Sequence, residues 1–413
     1  MRGKYAVIGS LYLTQGLPFG LAMIAMPAIL RQAGHPVESL GIFALVMLPW
    51  AFKLLWGPLV DNHGLARFGH RRSWIVPLQV ATAAGFAALA HLPPGSTPIV
   101  GFAMALVLIN LLCATQDIAT DGYAVEQLAR EQHAFGNSLQ IGGFCLGMLL
   151  GGSGVLIVVE HLSWAAAMMG LGIVTGLLTL PVLLRPAGVA TPPPGGENAA
   201  PKRASLRALL RRPGIWVLLA VAGLFKAGSA GGEALLHPYL VDAGYGLDVV
   251  GMISGTALIG LGTVFAFLGG AVTTRLGAER TLVTFVALSA LGMGVLAILA
   301  AIGQTDLAQL LPALLLENIS INIAYVAAFV LFMRWSSKEQ AGTDFTAFQC
   351  VEAIGNIAAI GAATHLAGLL GYGAAFAFTA LAGLAVALFL RTVLTKPAAR
   401  RLDAIPEASA TGE

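Results

Sequence analysis

The chain has 413 residues, of which 57% are hydrophobic and only 10% are charged. Soluble domains carry about 25% charged residues, so a water-soluble fold could not cover this much apolar surface and the bilayer must be the solvent. The formal net charge of +3 gives no reason to expect a nucleic-acid partner, and the three cysteines show no zinc or disulfide spacing. We expect no metal and no cofactor.

Apolar runs long enough to cross a membrane, which takes roughly 20 residues, recur along the whole chain. In the first half they cover residues 5–30, 40–60, 74–91, 98–120, 134–159 and 164–184. After a polar, Pro-rich linker (185–213), the second half has runs at 214–241, 249–274, 281–302, 307–333, 345–370 and 373–394, followed by a polar tail (395–413). The pattern predicts an all-α integral membrane protein with twelve transmembrane helices in two six-helix bundles, residues 1–184 and 214–394.

The positive charges predict the orientation of these spans. If the N-terminus is cytoplasmic, most Lys and Arg residues fall in inner segments, as the positive-inside rule requires. Both termini are then cytoplasmic, and we expect a multi-pass protein of the bacterial inner membrane. The linker stretch 204–212 (ASLRALLRR) is basic and amphipathic, and we expect it on the cytoplasmic membrane surface.

Two inner loops have related sequences. Residues 57–72 (GPLVDNHGLARFGHRR) and 270–280 (GAVTTRLGAER) both pair a Gly-rich helix end with Arg after a short turn. The first loop resembles the inner-loop signature G-x-x-x-D-R-x-G-R-R of the major facilitator superfamily; the second has Thr274 at the acidic position. The resemblance implies that fold, with the substrate site between the halves near the midplane. It makes the following residues candidates for a conformational switch: Gly57, Asp61, Gly69, Arg71 and Arg72.

Ionisable residues lie within the apolar runs, where insertion of each costs roughly 2.5–3.5 kcal/mol at the bilayer centre. Such residues usually line a cavity or a proton route. They are Lys53, Asp117, Asp121, Lys226, Glu233, Glu317 and Glu352. Polar residues that continue the same helix faces, or lie beside a Gly16-Leu17-Pro18 break predicted in span one, extend the candidate pathway. They are Gln15, Asn110, Asn322 and Asn356.

The positions of these charges predict two ion-pair groups. We expect Lys53 to contact Asp117, and Lys226 to lie close to Glu233 or Glu317. At about 1.5 Å per residue, Asp117 falls within roughly one turn of the inner end of span four, which places Asp121 at the interface.

A more specific resemblance comes from residues 114–126 (ATQDIATDGYAVE). This run resembles the T-Q-D-I-A-x-D-x-Y segment of the AmpG-type permeases, and residues 15–21 and 48–61 are similar to the same family. Matching motif positions are held by Gln15, Lys53, Gln116, Asp117, Asp121 and Tyr123. AmpG-type permeases import muropeptides, whereas a compact RhtX/FptX-type branch carries siderophores, and the chain is similar to that branch in length and span count.

The resemblance implies a secondary transporter, not an enzyme, that imports a siderophore or iron-siderophore of the pyochelin type by proton-coupled alternating access. Its partners would be that small molecule, protons and membrane lipids, and we expect a monomer. A muropeptide permease is the alternative. A drug/proton antiporter is less favoured, because Met148 replaces the Pro of the antiporter motif in 143–152, leaving a small-residue packing stripe. The sequence shows no catalytic motif of a membrane enzyme and no sensor domain that would indicate a signalling receptor.

Overall fold

The computed structural model describes residues 2–26, 29–30, 48–94, 97–184, 203–246, 253 and 258–394. Regular secondary structure in these ranges is entirely helical. Most of the linker, all of the predicted tail, residues 40–47 of span two and nearly all of 249–257 in span eight lie outside the described residues.

The described helices of the first half follow the predicted spans. They are α1 (Arg2–Gly20, continued by a π-helical turn at Leu21–Ala25), α2 (Leu48–Phe52), α3 (Gly57–Asn62), α4 (Arg72–Leu89), α5 (Ile99–Gln127), α6 (His133–Leu149, continued by a π-helical turn at Leu150–Gly154), α7 (Val155–His161) and α8 (Trp164–Leu183). Short 3-10 turns lie at Lys53–Trp56, Ala66–Phe68 and Arg130–Gln132.

The second half is built in the same way. Its helices are α9 (Leu206–Leu210), α10 (Ile215–Leu224), α11 (Ala227–Asp242), α12 (Leu258–Leu276), α13 (Ala278–Ala301), α14 (Leu307–Trp335, followed by a 3-10 turn at Lys338–Gln340) and α15 (Ala341–Val393). The long α15 is divided at Gly371, whose φ of 82° and ψ of 171° are not helical. That break falls between predicted spans eleven and twelve, and glycine permits it because it has no Cβ.

Two predicted spans are interrupted at their lysines. Span two changes from α-helix to a 3-10 turn at Lys53 and resumes as α3, where Pro58 follows the first residue. Proline has no N–H to continue the ladder and crowds the preceding turn. Span seven is interrupted by a turn at Phe225 and Lys226 before α11 begins. Interrupted helices within membranes occur where the backbone lines a cavity or lies within protein.

Three local predictions are corrected by the structure. The helix of span one continues through Pro18 to Gly20, so the predicted break is absent and a π-helical turn follows instead. The helix of span four runs to Gln127, well beyond the predicted end at residue 120. The amphipathic linker helix is only Leu206–Leu210, and Leu209 is buried against protein.

The linker is attached to the first inner loop by a side-chain amide. The Asn62 amide donates to the Ala204 carbonyl at 2.9 Å, and its oxygen accepts from the Ala204 N–H at 2.7 Å. The next N–H, of Ser205, donates to the Gln340 side chain at 3.0 Å. This stretch is therefore held by hydrogen bonds to the protein, which the amphipathic pattern did not predict.

The chain divides into two compact units. Unit 1 comprises 1–128, 139–206 and 338–346, and unit 2 comprises 129–138, 207–337 and 347–413. Each has an apolar core of its own, around Phe86 and Phe102 in unit 1 and around Met293 and Phe376 in unit 2. The division into two six-helix bundles at the predicted boundaries stays a prediction.

Large apolar side chains remain exposed along the helices, as a lipid-facing surface requires. Within the described residues, eight helical stretches are long and apolar enough to cross a membrane, one of them being Lys338–Val393 with its break at Gly371. The multi-span fold is thus present, while the count of twelve spans and the side on which the termini lie stay predictions.

Candidate functional site

Unit 1 contains the predicted pair of Lys53 and Asp117. The ammonium of Lys53, in the interrupted span two, donates to a carboxylate oxygen of Asp117 on α5. Both side chains are about 97% buried, since each has only 3% exposure. The ammonium also lies 5.3 Å from the centre of the Trp50 ring, a cation–π distance. The pair is therefore almost completely enclosed by protein.

Asp121 lies beside this pair and is buried, not interfacial as the sequence predicted. Its Oδ1 accepts hydrogen bonds from the Tyr12 hydroxyl at 2.6 Å and from the Gln140 amide at 3.4 Å. The Asp117 carboxyl lies within hydrogen-bonding reach of Asp121. The longer α5 explains the correction, because about 15 Å of helix separates Asp117 from the helix end at Gln127.

Three further polar residues of the candidate pathway are buried in the interior of unit 1. Asn110 is buried and accepts from the Trp50 indole at 3.0 Å. Gln15 and Gln116 are also buried, and the Gln15 amide nitrogen and both polar atoms of the Gln116 side chain lack hydrogen-bond partners among the described residues. Tyr123 is half-buried and packs against an apolar cluster that includes Ile118.

Unit 2 contains the second predicted pair. Lys226 lies 3.4 Å from Glu233, which is about two turns further along span seven, and its ammonium lies 5.5 Å from the centre of the Tyr325 ring. The two charged side chains retain 22% and 40% exposure, against 3% for Lys53 and Asp117. Because charges facing hydrocarbon are expensive, we expect the exposed side of this pair to face water.

Glu317 is joined to the same group by serine hydroxyls. Ser229 lies 2.5 Å from Glu317 Oε1 and 3.1 Å from Glu233 Oε1, and Ser289 lies 3.3 Å from the same oxygen of Glu317. A hydroxyl has one hydrogen, so Ser229 can donate to only one of its two carboxylates at a time. Lys226 is therefore close to both predicted partners, directly to Glu233 and through Ser229 to Glu317.

The remaining predicted residues of unit 2 form a polar stripe on α14 and α15. Glu352 accepts from the Asn356 amide at 2.5 Å and from the Tyr325 hydroxyl at 3.3 Å. Asn322 is half-buried and donates to the Asn318 carbonyl at 2.8 Å, which uses its amide within its own helix. The stripe extends the group around Lys226, since Tyr325 contacts both.

The predicted switch loop is organised around Arg71. Its guanidinium donates to Asp61 at 2.5 Å and to Glu126, at the end of α5, at 2.7 and 3.0 Å. The second oxygen of Asp61 accepts the Thr343 N–H at 2.6 Å, in the first turn of α15, where helical N–H groups lack partners. Asp61 thus connects the loop to that helix end.

The other three candidates of the loop are described by their backbone conformation or by their contacts with main-chain atoms. Gly69 has a φ of 85°, which favours glycine. A Cβ at Gly57 would lie 3.4 Å from the Cα of Thr343, an ordinary contact. Arg72 donates to the Leu183 carbonyl at the end of α8 at 3.0 Å. Burial and the adjacent Arg71 lower the pKa of the neighbouring His70.

The second inner loop repeats this arrangement with the charges exchanged. Gly277 has the same φ of 85° as Gly69, and Glu279, in the first turn of α13, accepts from Arg334 in the last turn of α14 at 2.8 Å. In the first half the basic residue starts the equivalent helix and the acidic residue, Glu126, ends the next. An internal repeat therefore extends to the contacts and not only to the loop sequences.

Arg71→Lys is expected to lower the free energy of unfolding by roughly 1.5–3 kcal/mol, the usual contribution of a hydrogen bond to a charged group. An ammonium cannot reproduce the fork that contacts Asp61 and Glu126 together. Thermal unfolding in detergent measures the effect. Arg67→Lys is the control, because Arg67 is exposed and stacks on Phe68 at 4.7 Å; equal losses in both variants would contradict the prediction.

Comparison with known protein families decides the assignment. The sequence profile described as Major Facilitator Superfamily matches residues 8–302 and 242–411. The chain belongs to this superfamily. It is a multi-pass transporter of the inner membrane, and members of the superfamily bind small-molecule substrates.

Relatives within the superfamily refine this. The anhydromuropeptide permease of Escherichia coli strain K12 is 27% identical over 362 residues, covering 86% of this chain and 72% of the permease. A Rickettsia conorii protein that carries the name AmpG 4 is 22% identical, over 92% of this chain and 94% of its own length. The human organic anion transporter MFSD10 shares the fold, with a TM-score of 0.71 at 16% identity, over 94% of this chain and 99% of its own. The two bacterial relatives support the AmpG-type resemblance, and they give no support to the siderophore branch.

Sequence reasoning missed several groups that the structure places around the predicted residues. Gln140, Ser229 and Ser289 contact carboxylates through hydrogen bonds between helices. A stripe of polar residues on spans five, seven and nine is a signal that could have identified them. The ion pairs of Arg71 with Glu126 and of Arg334 with Glu279 join the start of one helix to the end of the next. The acidic and basic residues at these helix ends were the sequence signal for both pairs.

Proposed function

We propose that this transporter imports anhydromuropeptide-type glycopeptides into the cytoplasm, driven by protons. The similarity to the Escherichia coli anhydromuropeptide permease over 86% of the chain carries the proposal. It supports the alternative in the sequence-based prediction over siderophore import. Substrates of this class combine sugar hydroxyls with peptide carboxylates, so a fitting site needs amide and hydroxyl partners together with an accessible cation.

The polar groups of unit 2 suit the carboxylate. Lys226 is partly exposed and its contact with Glu233 is 3.4 Å long, so an incoming carboxylate could take the place of Glu233. Glu233 could then accept the hydroxyl hydrogen of Ser229, which lies 3.1 Å away. Lys53 is much less suited to this role, because its pair with Asp117 is buried. In the proposal, Lys226 binds the substrate anion.

Transport itself is tested in right-side-out membrane vesicles. We expect a radiolabelled anhydromuropeptide to accumulate when a pH gradient, acid outside, is imposed, and a protonophore to abolish accumulation. A ferric siderophore of the pyochelin type and a cationic dye serve as rival substrates. Accumulation of the siderophore alone, or export of the dye alone, would contradict the proposal.

Lys226→Met is expected to lower kcat/KM for anhydromuropeptide uptake about tenfold or more. A hydrogen bond to a charged group contributes roughly 1.5–3 kcal/mol, and about 1.4 kcal/mol corresponds to a factor of ten. Lys338→Met is the matched control, because Lys338 is exposed in a 3-10 turn at the end of span ten. The role of Lys226 is refuted if both variants, present at wild-type levels, take up substrate equally.

A further inference from the structure

One carboxylate oxygen of Asp121 has no hydrogen-bond donor among the described residues. Oδ1 accepts from Tyr12 and Gln140, whereas the buried Oδ2 has no hydrogen-bond partner among the described residues. The Gln140 side chain, only 4% exposed, turns its amide nitrogen toward Asp121, and its own oxygen also lacks a donor. Buried acceptors without donors are uncommon and unfavourable, so this group is short of at least one donated hydrogen.

The group around Asp121 also has too little positive charge for its two carboxyls. Four elements present polar groups to it: Tyr12 from α1, Lys53 from the 3-10 turn of span two, Asp117 from α5 and Gln140 from α6. Lys53 is the one cation among them, and it pairs with Asp117. With both carboxyls ionised, the buried group carries an uncompensated negative charge, which is strongly unfavourable away from water.

We propose that Asp121 Oδ2 binds the proton that couples to transport. The bound proton turns Oδ2 from an acceptor without a partner into a donor toward Asp117, and it brings the group of Lys53, Asp117 and Asp121 to zero net charge. The proton is taken from water on one side of the membrane and returned to water on the other, with no other bond made or broken. The proposal rests on the proton-driven transport proposed above and assigns the group that holds the proton.

Two alternatives, a proton on Glu317 and a sodium ion at Asp121, fit the observed contacts less well. Glu317 in unit 2 has hydroxyl donors from Ser229 and Ser289 on one oxygen and lies near Lys226, so its ionised form is better supplied with partners than that of Asp121. A sodium ion at Asp121 would need several oxygen ligands and would lie near the Lys53 ammonium, which repels it.

Infrared difference spectroscopy on the purified full-length protein in lipid tests the site without any substrate. Between acid and alkaline pH we expect the wild type to lose the C=O stretching band of a buried protonated carboxyl. Asp121→Asn should lack that band, and Glu160→Gln should keep it, because Glu160 is an exposed carboxyl of the same unit. An unchanged band in a folded Asp121→Asn protein would overturn the proposal.

Tyr12→Phe provides a second measurement if Asp121→Asn does not fold. Loss of the phenol hydrogen bond at 2.6 Å removes a donor that stabilises the ionised carboxylate, so the band should persist to higher pH than in the wild type. An unshifted titration in this variant would count against Asp121. Replacement of sodium by potassium should leave the titration of the wild type unchanged; a sodium-dependent titration would replace the proton by sodium in the proposal.

Uptake of anhydromuropeptide in vesicles separates this proposal from the proposed function. If Asp121 carries the proton, the dependence of the initial uptake rate on external pH should be lost in Asp121→Asn and kept in Glu160→Gln. If the wild type takes up no anhydromuropeptide, the proposed substrate is wrong, while the spectroscopic result still decides whether Asp121 binds a proton.

Discussion

Lys53→Met is expected to lower the free energy of unfolding by about 3–5 kcal/mol, the usual effect of removing one partner from a buried ion pair. The methionine fills the space of the lysine stem but leaves Asp117 without its cation, next to a second carboxyl at Asp121. Anhydromuropeptide uptake should fall to background. Thermal unfolding in detergent and vesicle uptake measure the two effects.

A double variant separates charge from packing. Lys53→Met combined with Asp117→Asn removes the cation and its partner together, and replacing both members of a buried pair is often close to neutral. We expect most of the lost stability to return, while uptake stays at background because the charge group is gone. The explanation is wrong if the double variant is no more stable than Lys53→Met, or if Lys338→Met is destabilised to the same extent.

Gly147→Val is expected to prevent normal packing of span one against span five. A Cβ at Gly147 would overlap the Leu13 carbonyl oxygen and lie 2.9 Å from the Cα of Gly16. Overpacking typically costs roughly 1–3 kcal/mol and sometimes more, and we expect the upper end because the obstacles are main-chain atoms. The amount of folded protein and its unfolding temperature measure the effect.

Gly176→Val is the matched control for this prediction. Gly176 lies in α8 within the same unit, and nothing lies within 4 Å of a Cβ built there. Both variants place a β-branched residue in an apolar helix, so the propensity effect cancels. If Gly176→Val loses as much folded protein as Gly147→Val, close helix contact is not the reason for the glycine.

The glycine contact also supports the small-residue interpretation of residues 143–152 over the antiporter motif. Gly143, Gly147 and Gly151 all approach the main chain of α1. Unit 2 repeats the contact, because a Cβ at Gly355 of α15 would overlap the Gly223 carbonyl of α10. Glycines thus pack helices closely in both units, as small residues do in membranes.

The sequence alone determined the class of the protein and much of the charge pairing. Apolar runs of span length have few explanations other than a bilayer, and the pairing of Lys53 with Asp117 follows from the cost of burying either charge alone. The AmpG-type resemblance of residues 114–126 also came from sequence. The finer siderophore assignment has no support from the relatives, because length and span count describe a fold and carry no information about a ligand.

The tertiary structure decided the details that depend on where helices end and what they contact. Hydropathy cannot locate the end of a helix that continues into polar sequence, so the extension of α5 to Gln127 and the burial of Asp121 were not predictable. Nor does one-dimensional spacing reveal a donor from another helix, such as Gln140 on α6 or Ser289 on α13. The difference in exposure between Lys53 and Lys226 likewise arises from packing around each residue, because the sequence places both simply within apolar spans.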